Sequence, residues 1–184
     1  MSEYYLMSQL PSLDGISDNM PIPITEERFL ELCHRFLGKK AQSEIEKLTL
    51  IPPISHKKST SALVESWNEG ERNLRLALGK VRADKMKKPF ELENKNISAE
   101  LLKVAQTAVN TENPLEAEIF LNRHRLSFLE SLRPMNTFSE DSVFYYGLKL
   151  KLLSRMRSFD TEIGKTAYKN IYNSIMNGDR LEAM

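Results

Sequence analysis

The sequence predicts an all-α fold, an irregular bundle of about six to eight helices around one long central helix. Apolar residues recur at intervals of three, four and seven, and no stretch alternates convincingly as a strand would. Only 7 glycines and 8 prolines are spread over 184 residues, which leaves room for long uninterrupted helices. Capping residues stand at the head of most of the periodic stretches.

Tyr4, Tyr5, Leu6, Met7 and Leu10 form an apolar cluster closed by Pro11. So short a run fits a helix or an edge strand equally, and predicts a packed terminus either way. Gly15, Asn19, Pro21 and Pro23 make 12–24 a linker or surface loop. Thr25, with Glu26 and Glu27 behind it, opens a helix whose inward stripe is Phe29, Leu32, Cys33, Phe36 and Leu37, and Gly38 is expected to end it. A shorter helix runs through Ile45 and Leu48 until Ile51-Pro52-Pro53-Ile54 breaks the pattern.

The central helix is expected over 59–88. Leu63, Trp67, Leu74, Leu78 and Val81 lie on its apolar face. Ser59, Thr60 and Ser61 offer cap hydroxyls, and Lys85, Lys87 and Lys88 suit the negative end of the dipole before Pro89 stops the helix. Trp67, the only tryptophan, is expected to be buried where the Tyr4–Tyr5 cluster meets the helix from Thr25. Residues 1–184 read as a single helical domain, with the polar stretch 89–97 as the place for a boundary between two lobes.

Ser98 caps a helix carrying Leu101, Leu102, Ala105, Ala108 and Val109. Asn113-Pro114 opens the next, rich in apolar residues from Ile119 to Leu132, and the two are expected to pair antiparallel across a short link. Thr137-Phe138-Ser139-Glu140 has the spacing of a capping box ahead of a mostly buried helix bearing Phe144, Leu148, Leu152 and Met156. A last helix, 161–176, places Ile163, Ala167, Ile171 and Ile175 on one stripe beside Tyr168 and Tyr172, with Asn177-Gly178 as its stop.

Composition narrows the function. Lys and Arg number 26 against 25 Asp and Glu, so a net charge of +1 gives no global field to draw in nucleic acid or an anionic membrane. One cysteine, Cys33, excludes an internal disulfide framework and fits a reducing, cytoplasmic setting. The opening residues lack the basic region of a secretory signal, and no run of 18 apolar residues could span a bilayer, so membrane association is expected only through a protein partner.

Chemistry-bearing patterns are sparse. Gly164-Lys165-Thr166 matches the tail of a phosphate-binding loop, but Phe159 stands where its first glycine belongs. His34, His56 and His124 are scattered without metal-ligand spacing, and no nucleophile with a matching base can be argued. Asn96-Ile97-Ser98 is a formal glycosylation sequon without a secretory signal. No catalytic residue, metal or cofactor is therefore expected. Lys80, Arg82, Lys85, Lys87 and Lys88 form a basic helix end, which reads as a solvated terminus first, and as a nucleic-acid or adaptor surface only as the alternative function.

Three passages together resemble known sequences. The opening YYLMSQLPSL resembles a small bacterial family whose genes accompany those of V-type (rotary) ATPases. Asn73-Leu74-Arg75 followed by Gly79-Lys80-Val81-Arg82-Ala83, and Ser139-Glu140-Asp141 leading into FYYGLKLKLLSRMRSFDTEIGKTAYKNI, are similar to passages of the C (or d) subunit of V/A-type ATPases. The resemblance implies a non-catalytic helical subunit or accessory protein joining the central stalk to the membrane ring in ATP-coupled proton or sodium transport. It places the protein at the inner face of the membrane through its partners. On that reading Arg72, Arg75, Arg82 and Lys85, on the polar side of the central helix, make rim contacts to acidic residues of the neighbouring subunits.

Overall fold

The computed structural model describes residues 2–16, 20–54, 59–90, 97–159 and 161–181. Those residues form helices without a strand: α1 (Ser2–Gln9), α2 (Glu26–Phe36), α3 (Lys39–Glu46), α4 (Ala62–Lys85), α5 (Ala99–Asn110), α6 (Pro114–Ser131), α7 (Glu140–Arg157) and α8 (Thr161–Leu181). The all-α expectation holds.

Most helix starts are set by the side chains that announced them. Thr25 accepts from the Arg28 amide, Ser61 from Val64, Ser98 from Leu101 and Asn113 from Leu115, each removing one orphan donor from a first turn. Pro114 follows Asn113 at the first position of α6, where its missing N–H is harmless. The start of α7 differs from expectation. Its cap is Ser139, which accepts from the Ser142 amide, and Glu140 becomes the first helical residue, so the proposed box from Thr137 does not form. A tight turn closed by Ser139 N–H to the Asn136 carbonyl carries the chain past Thr137 before the helix begins.

Helix ends depend more on hydrogen bonding than on the breakers in the sequence. Gly38 does not terminate α2; Leu37 is its C-cap and Gly38 is the N-cap of α3. The Gln42 amide reaches back to the carbonyls of His34 and Leu37, at 2.8 and 2.7 Å, and satisfies the end of α2 from α3. α4 closes before Pro89: Lys87 takes a left-handed conformation (φ 54°), while the Lys88 amide reaches the Ala83 carbonyl and the Lys87 amide that of Asp84. That is a Schellman closure with lysine where glycine is usual. Nor does Asn177-Gly178 stop the last helix, whose backbone runs on to Leu181.

α7 is the most enclosed element. Every residue from Ser142 to Leu150 is buried, and the helix packs against α1, α2, α3, α4 and α6. Gly147 permits the close approach there, since a methyl group would come within 2.9 Å of the end of the Leu48 side chain and 3.1 Å of the Phe29 ring, and both would have to shift. α1 joins this body through Leu6, fully buried, whereas Tyr4 and Tyr5 face outward, and the Tyr4 ring lies 4.6 Å from that of Phe138. The terminus is thus packed, but by the aliphatic side of its cluster.

The buried apolar residues form two clusters. The larger joins α1, α2, α3 and α7 with Leu63 and Trp67 of α4 and Leu129 of α6. The smaller joins Leu74, Ala77 and Leu78 of α4 with Ala105 and Ala108 of α5 and Leu121 of α6. α4, 24 residues long, and α6 therefore contribute to both clusters. Residues 91–96, the middle of the expected lobe boundary, lie outside the described residues.

Trp67 is 1% exposed, as expected, but its neighbours are not those expected. α4 packs against α5, α6 and α7 and not against α1 or α2, and the indole stacks on Phe128 of α6 with ring centroids 6.2 Å apart. Tyr4 and Tyr5 are each more than half exposed, and Leu6 is the residue of that cluster that shares the larger core with Trp67.

Candidate functional site

The apolar stripe of α4 has a gap of seven between Trp67 and Leu74, and Glu71 stands on the face that the gap leaves open. It is 3% exposed. α6 carries a matching interruption, with Arg125 between the buried Leu121 and Leu129. The two meet in a bidentate pair, Arg125 Nε to Glu71 Oε2 at 3.0 Å and a terminal guanidinium nitrogen to Glu71 Oε1 at 3.1 Å. Arg125 also donates to the Asn122 side-chain carbonyl at 3.1 Å, and Arg75 Nε donates to Glu71 Oε1 at 2.9 Å. Sequence reasoning missed this pair. The signal was available, since a charge at a stripe position on each of two helices is what a buried pair requires.

Against the pair lies a cavity of about 220 Å3 between α4, α5 and α6, walled by Trp67, Leu74, Leu101 and Phe128 and edged by His124 and Glu100. Gly70 shapes it, because a methyl group there would overlap the Phe128 ring. Burial, reinforced by the neighbouring Arg125 charge, lowers the His124 pKa and favours its neutral imidazole. The indole N–H of Trp67 and the amide nitrogen of Asn122 are buried without a hydrogen-bond partner among the described residues.

A second polar cluster ties the 11–16 segment to the core. Lys149, 5% exposed, contacts Asp14 and Glu130, each at 2.6 Å, while Arg133 holds the other Asp14 oxygen at 2.8 Å and the Tyr145 hydroxyl donates to Glu130 at 2.7 Å. Hydrogen bonds from Lys149 and Arg133 lower the Asp14 pKa. At Glu130 burial works against the charged form, yet Lys149 and Tyr145 outweigh it and the pKa is lowered too. Every member is satisfied by another, which makes the cluster a clamp.

The four basic residues singled out on α4 have unequal situations. Arg82 is exposed and Arg72 half-buried. Arg75 is tied to buried Glu71, and the Lys85 ammonium donates to the Val109 carbonyl at the end of α5, at 3.0 Å. Arg75 and Lys85 therefore also hold the fold together, and their reversal to glutamate would disturb it.

The remaining sequence candidates fall apart in space. Gly164-Lys165-Thr166 lies within helix α8, so the phosphate-loop match has no loop. His34 pairs with Glu46 at 3.2 Å, His124 lines the cavity, and His56 lies outside the described residues, as does Asn96 of the sequon. Burial pushes the Cys33 thiol up to about 12. Among the described residues no group of three or more His, Cys, Asp or Glu is placed to hold a metal, and no helix is long and apolar enough to cross a membrane.

α8 is different from every other helix. It packs against no other helix among the described residues, and Tyr168, Ile171, Tyr172, Ile175 and Met176 are each at least half exposed. Their spacing of three and four puts them along one side, with the rings of Tyr168 and Tyr172 stacked 6.2 Å apart. Lys165, Lys169, Asn170 and Asn173 occupy the rest of the surface. No family model matches the chain, and no curated protein or solved structure proved similar to it.

Proposed function

We propose that this chain is a non-catalytic helical subunit or accessory protein of a V-type ATPase, working by docking between the central stalk and the membrane ring. The observation that carries the docking reading is α8, whose apolar stripe finds no partner among the described residues. An exposed stripe of this kind in a folded protein marks a binding surface, because water contact with it is unfavourable and a groove on a partner removes it. The identity of the partner rests on the resemblance, whose passages lie in α1, in α4 and from α7 into α8. The exposed Arg82 and half-buried Arg72 supply charge at the rim, where it governs encounter and register more than affinity.

The test is co-purification of the ATPase with the tagged full-length chain from cells that encode both. Ile171→Asn combined with Ile175→Asn should abolish it while leaving the melt of the isolated protein unchanged, since among the described residues α8 packs against no other helix and both side chains are exposed. Arg72→Glu with Arg82→Glu should weaken it at low salt and make it less sensitive to added salt, because the attraction that salt screens in the wild type is gone. Recovery of the ATPase by the α8 double variant at the wild-type level would overturn the docking role of α8, and failure of the wild-type chain to recover the ATPase would overturn the partner.

A further inference from the structure

We infer that the apolar stripe of α8 is covered, away from the ATPase, by α8 of a second copy of this chain, in an antiparallel two-fold pair. The inference rests on the docking role proposed above for α8 and not on the ATPase as its partner. α8 needs a cover for its own sake. It runs for 21 residues with Gly164, Asn170, Asn173, Asn177 and Gly178 among them, all weak helix formers, and a helix of that composition draws its stability from packing of its apolar face. Among the described residues no other helix supplies that packing.

The order of residues along the stripe selects a second copy and an orientation. Tyr168 and Ile175 lie along its middle, with Ile171 to one side and Tyr172 and Met176 to the other, and all five are at least half exposed. A two-fold axis between Ile171 and Tyr172 brings Tyr168 of one copy level with Ile175 of the other, and the reverse, while Ile171 and Tyr172 each meet their own counterparts beside the axis. An aromatic ring thus meets an aliphatic side chain at both ends, and the central tyrosines extend the stack that Tyr168 and Tyr172 already form at 6.2 Å. The charges agree with this orientation. Lys165, exposed on the Tyr172 side and held to Glu162 of its own helix at 2.9 Å, comes level with position 179 of the second copy, which the sequence fills with aspartate. A parallel pair would leave those opposite charges at opposite ends of the two helices. Antiparallel helices also set their dipoles head to tail. With about 150–250 Å2 available from each aromatic side chain, the five residues of each copy bury on the order of 1,000 Å2 in all, the least area that a specific interface needs.

Sedimentation equilibrium of the purified full-length chain from about 1 to 100 μM should show reversible exchange between monomer and dimer, with a dissociation constant on the order of 10 μM. Ile171→Asp sets like charges beside the axis and should weaken the pairing at least about tenfold. The melt of the bundle should not change, since α8 packs against no other helix among the described residues, so loss of the dimer is distinguished from loss of the fold. Lys165→Glu and Asp179→Lys should each weaken the pairing about three- to tenfold, and the two together should restore it. A chain that stays monomeric throughout overturns the inference, and binding of that monomer to vesicles of anionic phospholipid would assign the stripe to a lipid surface instead. A dimer undiminished by Ile171→Asp overturns the location, and single charge reversals that their combination does not rescue overturn the antiparallel order. These measurements contain no ATPase, so their failure is separate from failure of the co-purification.

Discussion

Glu71 and Arg125 lie 54 positions apart in sequence and are joined by two nearly parallel hydrogen bonds, 3.0 and 3.1 Å long, in the boundary between the two apolar clusters. Glu71 falls between Trp67 of one cluster and Leu74 of the other; Arg125 falls between Leu129 and Leu121 in the same way. Removing Glu71 takes the bidentate partner from the buried Arg125 guanidinium, whereas removing Arg125 leaves Glu71 only its bond from Arg75. Glu71→Ala should therefore destabilise the protein by about 3–5 kcal/mol, whereas Glu71→Leu with Arg125→Met should recover most of that loss. Chemical denaturation of Glu71→Leu, Arg125→Met and the double variant measures the coupling, and additive losses would show that the pair is not coupled.

The Lys149 clamp predicts acid sensitivity. Asp14 and Glu130 both have pKa values lowered in the folded state, so their contribution is present above the ordinary carboxylate pKa and is lost as pH falls through the folded values. Stability should decline below about pH 5, and Lys149→Met should flatten that decline because the lowered values depend on the ammonium group. Melting midpoints across the acid range, wild type against variant, provide the measurement; parallel curves would assign the acid sensitivity to other groups.

Lys87 is strained by its left-handed backbone at the end of α4. Glycine reaches the same φ without the steric conflict a Cβ brings, so Lys87→Gly should stabilise the protein by about 0.5–1 kcal/mol despite the greater freedom of its unfolded chain. In a chain of this size that is a rise in Tm of roughly 2–4 °C. Lys87→Val should lower it instead.

Trp67 supplies the largest fully buried side chain. Its emission should be blue-shifted and resist quenching by iodide, and Trp67→Ala should lose about 3–5 kcal/mol. Trp67→Phe keeps most of the stack on Phe128 and removes an N–H that has no partner among the described residues, so it should lose much less. A Phe variant as damaged as the Ala variant would show that the indole N–H has a partner after all.

Much of this architecture was legible in the chain because caps and stripes act locally. Thr25, Ser98 and Asn113-Pro114 each announce a helix within a few residues of where it starts, since the bond that stabilises the start is made to the next turn. Breakers proved less informative: Gly38, Pro89 and Gly178 are permissive or restrictive, but α2 and α4 end at the bonds closing on Cys33 and Ala83. Facing partners were not legible at all. The stripe on α4 foretold that Trp67 is buried, but that Phe128 covers it depends on how α6 crosses, and Gly70, which admits that ring, leaves no periodic trace. Of the four basic residues, periodicity gave a shared side of α4 but could not reveal that Arg75 serves Glu71 and Lys85 serves α5.

The boundary between the clusters also sets how the molecule breathes. α5 is held chiefly by the C-terminal half of α4 and by α6, and none of its residues belongs to the larger cluster. It can therefore detach with the smaller cluster as a cooperative unit while α7 and its surroundings stay folded. Amide protons of α5 would then exchange with deuterated solvent through a partial opening, at a lower free energy than those of α7, whose release requires unfolding of the whole chain. The Arg125–Glu71 pair joins α6 to α4 and holds no residue of α5, so α5 can open while that pair stays closed.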